Sequence, residues 1–125
     1  MKIIILNSSQ EPIYEQITKQ IKNYIINGQL KEGDILPSIR NLAKEIGISV
    51  ITTKRAYEEL EKEGFTETVQ GKGTYVAAQN KELLTEKKIK LIEEKMSEII
   101  EESKFINLSL EDLKEMLEVL YGNSK

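Results

Sequence analysis

The sequence predicts a mainly α-helical chain with one small β-hairpin, and three observations carry that expectation. Apolar residues recur at three- and four-residue spacing in five stretches between Ile13 and Leu120. That period is interrupted at FTETVQGKGTYVAA, where apolar residues flank a glycine-rich turn. From about Lys81 the composition shifts to Glu, Lys, Leu and Ile, with no Gly or Pro before Gly122. The 125 residues therefore divide into two expected domains, 1–78 and 79–125.

MKIIILNSSQEP opens the chain with a short apolar run, residues 3–6, which reads as a strand. Pro12 suits the first turn of a helix, and Ile13, Ile17, Ile21, Tyr24 and Ile25 then fall on one helical face. Asn27-Gly28 ends it. KEGDILPS reads as a loop, with Pro37 holding Leu36 extended. Ser38 is a capping type for a second helix with Ile39, Leu42, Ala43 and Ile46 inward, stopped by Gly47. Ser49 caps a third, which carries Thr53, Ala56, Tyr57 and Leu60 inward as far as Gly64.

Two short helices joined by a three-residue turn containing Gly make a helix-turn-helix. Phe65, Val69, Tyr75 and Val76 then flank the turn Gln70-Gly71-Lys72-Gly73 as a hairpin. Helix, helix, helix, hairpin is the order of a winged helix. The expected fold is thus a winged helix-turn-helix followed by a two-helix segment.

In that segment Ile89, Ile92, Met96 and Ile99 form a stripe, widened by Leu84, Leu91 and Ile100. Ser109 and Asp112 form a partial capping box, and Leu108 and Leu113 are spaced as a hydrophobic staple. Leu110, Leu113, Met116, Leu117 and Leu120 are expected to form the buried face of the last helix. Two helices beside a small domain cannot bury two wide apolar faces, so self-association through them is expected.

The bulk composition excludes several functions. There is no Cys and no His, which removes disulfides, thiolate or imidazole zinc sites and Ser-His or Cys-His nucleophiles. The carboxylates of EEKMSEIIEESK lack a cleft, so they read as a solvated face rather than acid–base machinery. No cofactor or metal is expected. No apolar run approaches the roughly 18 residues of a membrane span, and a soluble cytoplasmic protein follows. Net charge is −3, yet residues 1–78 hold 10 basic and 10 acidic residues against 8 and 11 in the remainder. A basic surface must therefore come from segregation of charge within the first part.

GISVITTKRAYEEL shows where that segregation falls. Small hydroxyl residues at the start of a helix let it approach closely to DNA, and Lys54 and Arg55 add attraction for phosphate. Arg40 opposes the dipole at the start of the second helix, a local cost that a bound phosphate offsets. Gly71 permits close backbone approach at the hairpin tip, beside Lys72. The G-x-G there lacks the rest of a dinucleotide fingerprint.

LPSIRNLAKEIGISVITTKRAYEELEKEGFTETVQGKGTYV strongly resembles the winged-helix domain of the GntR family of bacterial transcription regulators. With PIYEQITKQI before it, the resemblance covers about residues 10–77. The short two-helix tail looks like the YtrA subfamily, whose tails serve dimerisation and whose members often repress neighbouring ABC transporter genes. The resemblance implies DNA contacts at Ser38, Arg40, Ser49, Val50, Thr52, Lys54, Arg55, Gln70, Gly71 and Lys72. It implies double-stranded operator DNA and a second copy of the chain as partners, with Ile89, Ile92, Met96, Ile99, Leu113 and Leu117 in the dimer contact. It also leaves room for a small-molecule effector. The sequence departs from the family pattern at Ile39, where glutamate is common, and lacks the asparagine-proline-asparagine of many YtrA-type turns. A winged helix used only for protein contacts, with the tail as an assembly stalk, is the rival reading.

Overall fold

Ile17, Ile21 and Ile25 stand one turn apart on helix α1 (Ile13–Ile26), and none is more than 3% exposed. Onto this face pack Leu42 of α2 (Ile39–Ile46), Ala56, Tyr57 and Leu60 of α3 (Val50–Lys62), and Phe65. Val76 closes the core from strand β2 (Gly73–Val76), antiparallel to β1 (Thr66–Val69) with Thr66 opposite Val76 and Val69 opposite Gly73. Ile17, Ile21, Leu42 and Leu60 are wholly enclosed, each contributing roughly 1.5–3 kcal/mol from burial. These inward residues are the ones the helical spacing selects.

The computed structural model describes residues 1–123. They fall into two compact units, Met1–Lys88 and a second from Ile89 onward, the division lying within α4 (Lys81–Phe105).

One expectation for the first unit is corrected. Residues 3–6 form no strand. Instead, side chains one helical turn apart on α1 satisfy alternate backbone groups of the extended segment. Tyr24 Oη accepts from the Lys2 amide at 3.1 Å and donates to its carbonyl at 2.6 Å. The Gln20 amide bridges the N–H and C=O of Ile4 at 2.9 and 2.7 Å, and the Gln16 amide does the same for Leu6 at 2.9 and 3.2 Å. Two extended residues advance about 6.6 Å and one four-residue helical step about 6 Å, so the ladder keeps register. Ile3 is thereby held in the core.

KEGDILPS is a loop, as expected, and one pinned by backbone hydrogen bonds. Gly33 N–H donates to Val76 O, Val76 N–H to Asp34 O and Leu36 N–H to Thr74 O, all within 2.9 Å. Residues 33–36 thus lie along the open edge of β2, with Ile35 bridged to Tyr75. Pro37 favours this by restricting Leu36 to extended conformations.

In the second unit, Asn107 takes a left-handed conformation (φ 58°) after α4, and the Leu108 amide donates to Ser103 O. Helix α5 (Leu110–Asn123) starts at the expected capping box: Asp112 N–H donates to Ser109 Oγ, and Ser109 N–H to Asp112 Oδ2. The expected burial of its apolar face does not occur within the single chain. Leu110, Met116, Leu117 and Leu120 are exposed and Leu113 is half-buried. Ile89, Ile92, Met96 and Ile99 are likewise about half exposed. Water faces both stripes because two helices leave each other no second surface to cover.

Candidate nucleic-acid interface

Three chain segments present the residues singled out from the sequence. The first is the start of α2. Ser38 Oγ accepts from the Asn41 amide at 3.1 Å, satisfying an otherwise orphaned helix donor. Arg40, the second residue of this helix, and Lys44 in its last turn are exposed and form no ion pair among the described residues. Gly47 ends the helix at φ 69°, and the Ile48 amide folds back to Ala43 O.

Ser49 then caps α3 almost immediately, so the turn is as short as the sequence implies. Its hydroxyl proton is used: Oγ accepts from the Thr52 amide at 3.1 Å and donates to Thr52 Oγ1 at 2.9 Å. Thr53 is buried and donates to Ser49 O. Among the three hydroxyl groups near the helix start, Ser49 and Thr53 thus serve the local fold. Thr52 is half-buried and keeps its own proton for an outside acceptor. Tyr57, buried on the core side of α3, donates to Pro37 O at 2.6 Å and ties α3 to the segment that leads into α2. Burial raises the Tyr57 phenol well above its ordinary range, so it stays a donor at any physiological pH.

The cations of α3 are held differently. Lys54 lies 4.0 Å from Glu58, with both side chains about two-thirds exposed, a contact worth well under about 1 kcal/mol. Arg55 stacks its guanidinium over the Tyr14 ring of α1 at 3.8 Å. Contact with the ring occupies the face of the group and leaves its in-plane N–H donors available to an acceptor. No carboxylate pairs with Arg55 among the described residues.

The third segment is the hairpin tip. Lys72 N–H donates to Val69 O at 2.9 Å and Gly71 has φ 81°, the pattern of a type II turn. Gly73 is needed as well, because its φ of 120° is a backbone conformation that residues with side chains rarely adopt; a Cβ there would meet Ile35 only at ordinary contact distance, 3.5 Å. Thr68 and Thr74 hydroxyls meet across the strands at 3.2 Å, and Thr68 N–H reaches Glu61 of α3. The tip is therefore braced from behind while Gln70, Gly71 and Lys72 remain exposed.

Nine of the ten residues named for this surface are exposed, and Thr52 is half-buried. Two further residues belong beside them. Tyr14 carries no signal linking it to Arg55, because the contact exists only once α1 packs on α3. Ile51 is 82% exposed in the first turn of α3. Its signal is legible in the sequence: an apolar residue off the stripe set by Thr53, Ala56, Tyr57 and Leu60.

Among the described residues, no group of acidic side chains is arranged to hold a metal ion, and no helix is long and apolar enough to cross a membrane.

Residues 13–76 match the family described as bacterial regulatory proteins, gntR family. Over 117 residues the chain is 39% identical to the HTH-type transcriptional repressor YtrA of Bacillus subtilis (strain 168), a match spanning 94% of this chain and 90% of that protein. It necessarily extends into the helices after the hairpin. The structure of YtrA from Sulfolobus acidocaldarius, a GntR-family transcription factor, is similar with a TM-score of 0.59 and 39% identity, over 72% of this chain and 95% of that one. AraR(DBD), solved in complex with operator ORX1, is similar with a TM-score of 0.55 and 26% identity, over 62% of this chain and 96% of that one.

Proposed function

We propose, for a chain that belongs to the gntR family of bacterial regulatory proteins, a homodimeric repressor acting on a pseudo-palindromic operator. The proteins it resembles are transcriptional regulators, not enzymes. The exposed cations without strong partners at two helix starts and a hairpin tip carry this reading. Positive charge beside a helix N-terminus is unfavourable in isolation and becomes favourable once a phosphate lies between.

Helix α3 enters the major groove with Val50 and Thr52 toward base edges and Lys54 and Arg55 toward bases or phosphates. Arg40 meets a flanking phosphate, with Ser38 and Ser49 holding the helix starts that face it. Gln70, Gly71 and Lys72 bring the wing against the adjacent backbone. Ile89, Ile92, Met96 and Ile99 of α4, with Leu113 and Leu117 of α5, become buried between two copies. Half exposure of every one of these but Leu113, which is half-buried, supports that assignment. Twofold symmetry then sets half-sites about 10 base pairs, or one helical turn, apart. By its likeness to YtrA-type repressors, an ABC transporter operon is the expected target.

Arg40→Ala tests the DNA reading. Operator affinity is expected to fall, and the slope of log K against log salt to become shallower by about 0.9 for each phosphate no longer neutralised. Unchanged affinity and slope remove Arg40 from the interface. A chain that prefers no sequence over random duplex at physiological salt supports the protein-contact rival instead.

A further inference from the structure

We infer that Ile51 is a specificity-determining residue that reads the C5-methyl group of a thymine in each half-site, an assignment that rests on the DNA-binding reading above. Its position carries the inference more than its exposure, since single exposed apolar residues are ordinary. Thr53, Ala56, Tyr57 and Leu60 define the buried side of α3. At about 100° per residue Ile51 falls opposite them, one turn before Arg55 on the same line. It follows the Ser49 cap by two residues and stands next to Val50, itself 40% exposed. Two β-branched residues in a first turn lower helix propensity, and at 82% exposure Ile51 gains little packing within the chain in return.

The chemistry of the side chain then selects the partner. Isoleucine has no hydrogen-bonding atom, so it cannot read the donors and acceptors that distinguish base pairs. The one apolar group on a major-groove edge is the thymine methyl. Pressed against guanine O6 and N7 or cytosine N4, the same side chain would strip water from polar atoms and return nothing. Ile51 therefore favours an A·T pair under the first turn of α3 and disfavours G·C there.

The full chain is used to enrich a random duplex pool, and each thymine of the enriched site is replaced in turn by deoxyuridine. That change deletes the methyl group and keeps every hydrogen-bonding atom. Wild-type protein is expected to lose roughly three- to tenfold in affinity at one thymine per half-site. Ile51→Ala, a change at an exposed site to a better helix former, is expected to bind the thymine site as weakly as wild type binds the substituted one. It should also be indifferent to deoxyuridine at that position. Equal deoxyuridine sensitivity in wild type and Ile51→Ala overturns the assignment, as does a wild type insensitive at every thymine. Failure to enrich any sequence overturns the DNA reading as well, which separates the two failures.

Discussion

Arg55 and Tyr14 show how much a single contact can decide at the residue scale. The guanidinium rests on the ring at 3.8 Å, so a long, entropically costly side chain is already ordered before any anion arrives. Partial desolvation first, then donation of the phenol to Glu15, raise the Tyr14 pKa. The ring therefore stays a neutral platform at physiological pH. Tyr14→Leu removes that platform and is expected to weaken operator binding about three- to thirtyfold. Tyr14→Phe keeps the ring face and should stay close to wild type. Fluorescence anisotropy with both variants checks this, and equal behaviour of the two would show that the stack plays no part in binding. The capping roles of Ser38 and Ser49 are legible residue by residue, because a cap depends only on neighbours in sequence. The Tyr14 contact is not, because it joins two elements.

At the scale of elements, local codes are legible in the sequence and partner choice is not. The Ser109–Asp112 box opens α5 as its spacing indicates. Hydrogen bonds from the Ser109 backbone first, and from its hydroxyl second, hold the Asp112 carboxyl below the ordinary carboxylate range. With the folded pKa depressed, the contribution to α5 is fully present above the unfolded value near about 3.9 and is lost as pH falls through the folded value. Amide protection in the first turn of α5, relative to the intrinsic exchange rate at each pH, is therefore expected to fall below about pH 4. Asp112→Asn should flatten that pH dependence, and a profile unchanged by the substitution would count against the box. The N-terminal segment teaches the opposite lesson. Its apolar run indicates extended backbone, yet Gln16, Gln20 and Tyr24 supply the pairing that a strand would otherwise provide. Those three polar residues at four-residue spacing are visible in the sequence, but nothing local says which carbonyls they meet.

For the whole molecule the governing fact is apolar surface left facing water on α4 and α5. Ile92 and Leu117 are 50% and 54% exposed, so a charge at either should leave the folding of the chain nearly intact. Ile92→Glu combined with Leu117→Glu is expected to convert the proposed dimer to a monomer in analytical ultracentrifugation. Operator affinity should fall at least about tenfold, because each half-site then binds without the other. A dimer surviving both substitutions would move the assembly contact elsewhere.

By itself the sequence determined the helices, the hairpin, their caps and their inward residues, since period and capping are properties of neighbouring positions. It also carried enough linked motifs to indicate the family. Tertiary structure alone decided that Arg55 is stacked, that residues 33–36 edge the hairpin, and that the opening segment is held by amide side chains. Each of those is a contact between segments far apart in the chain, and only the packed core brings them within reach.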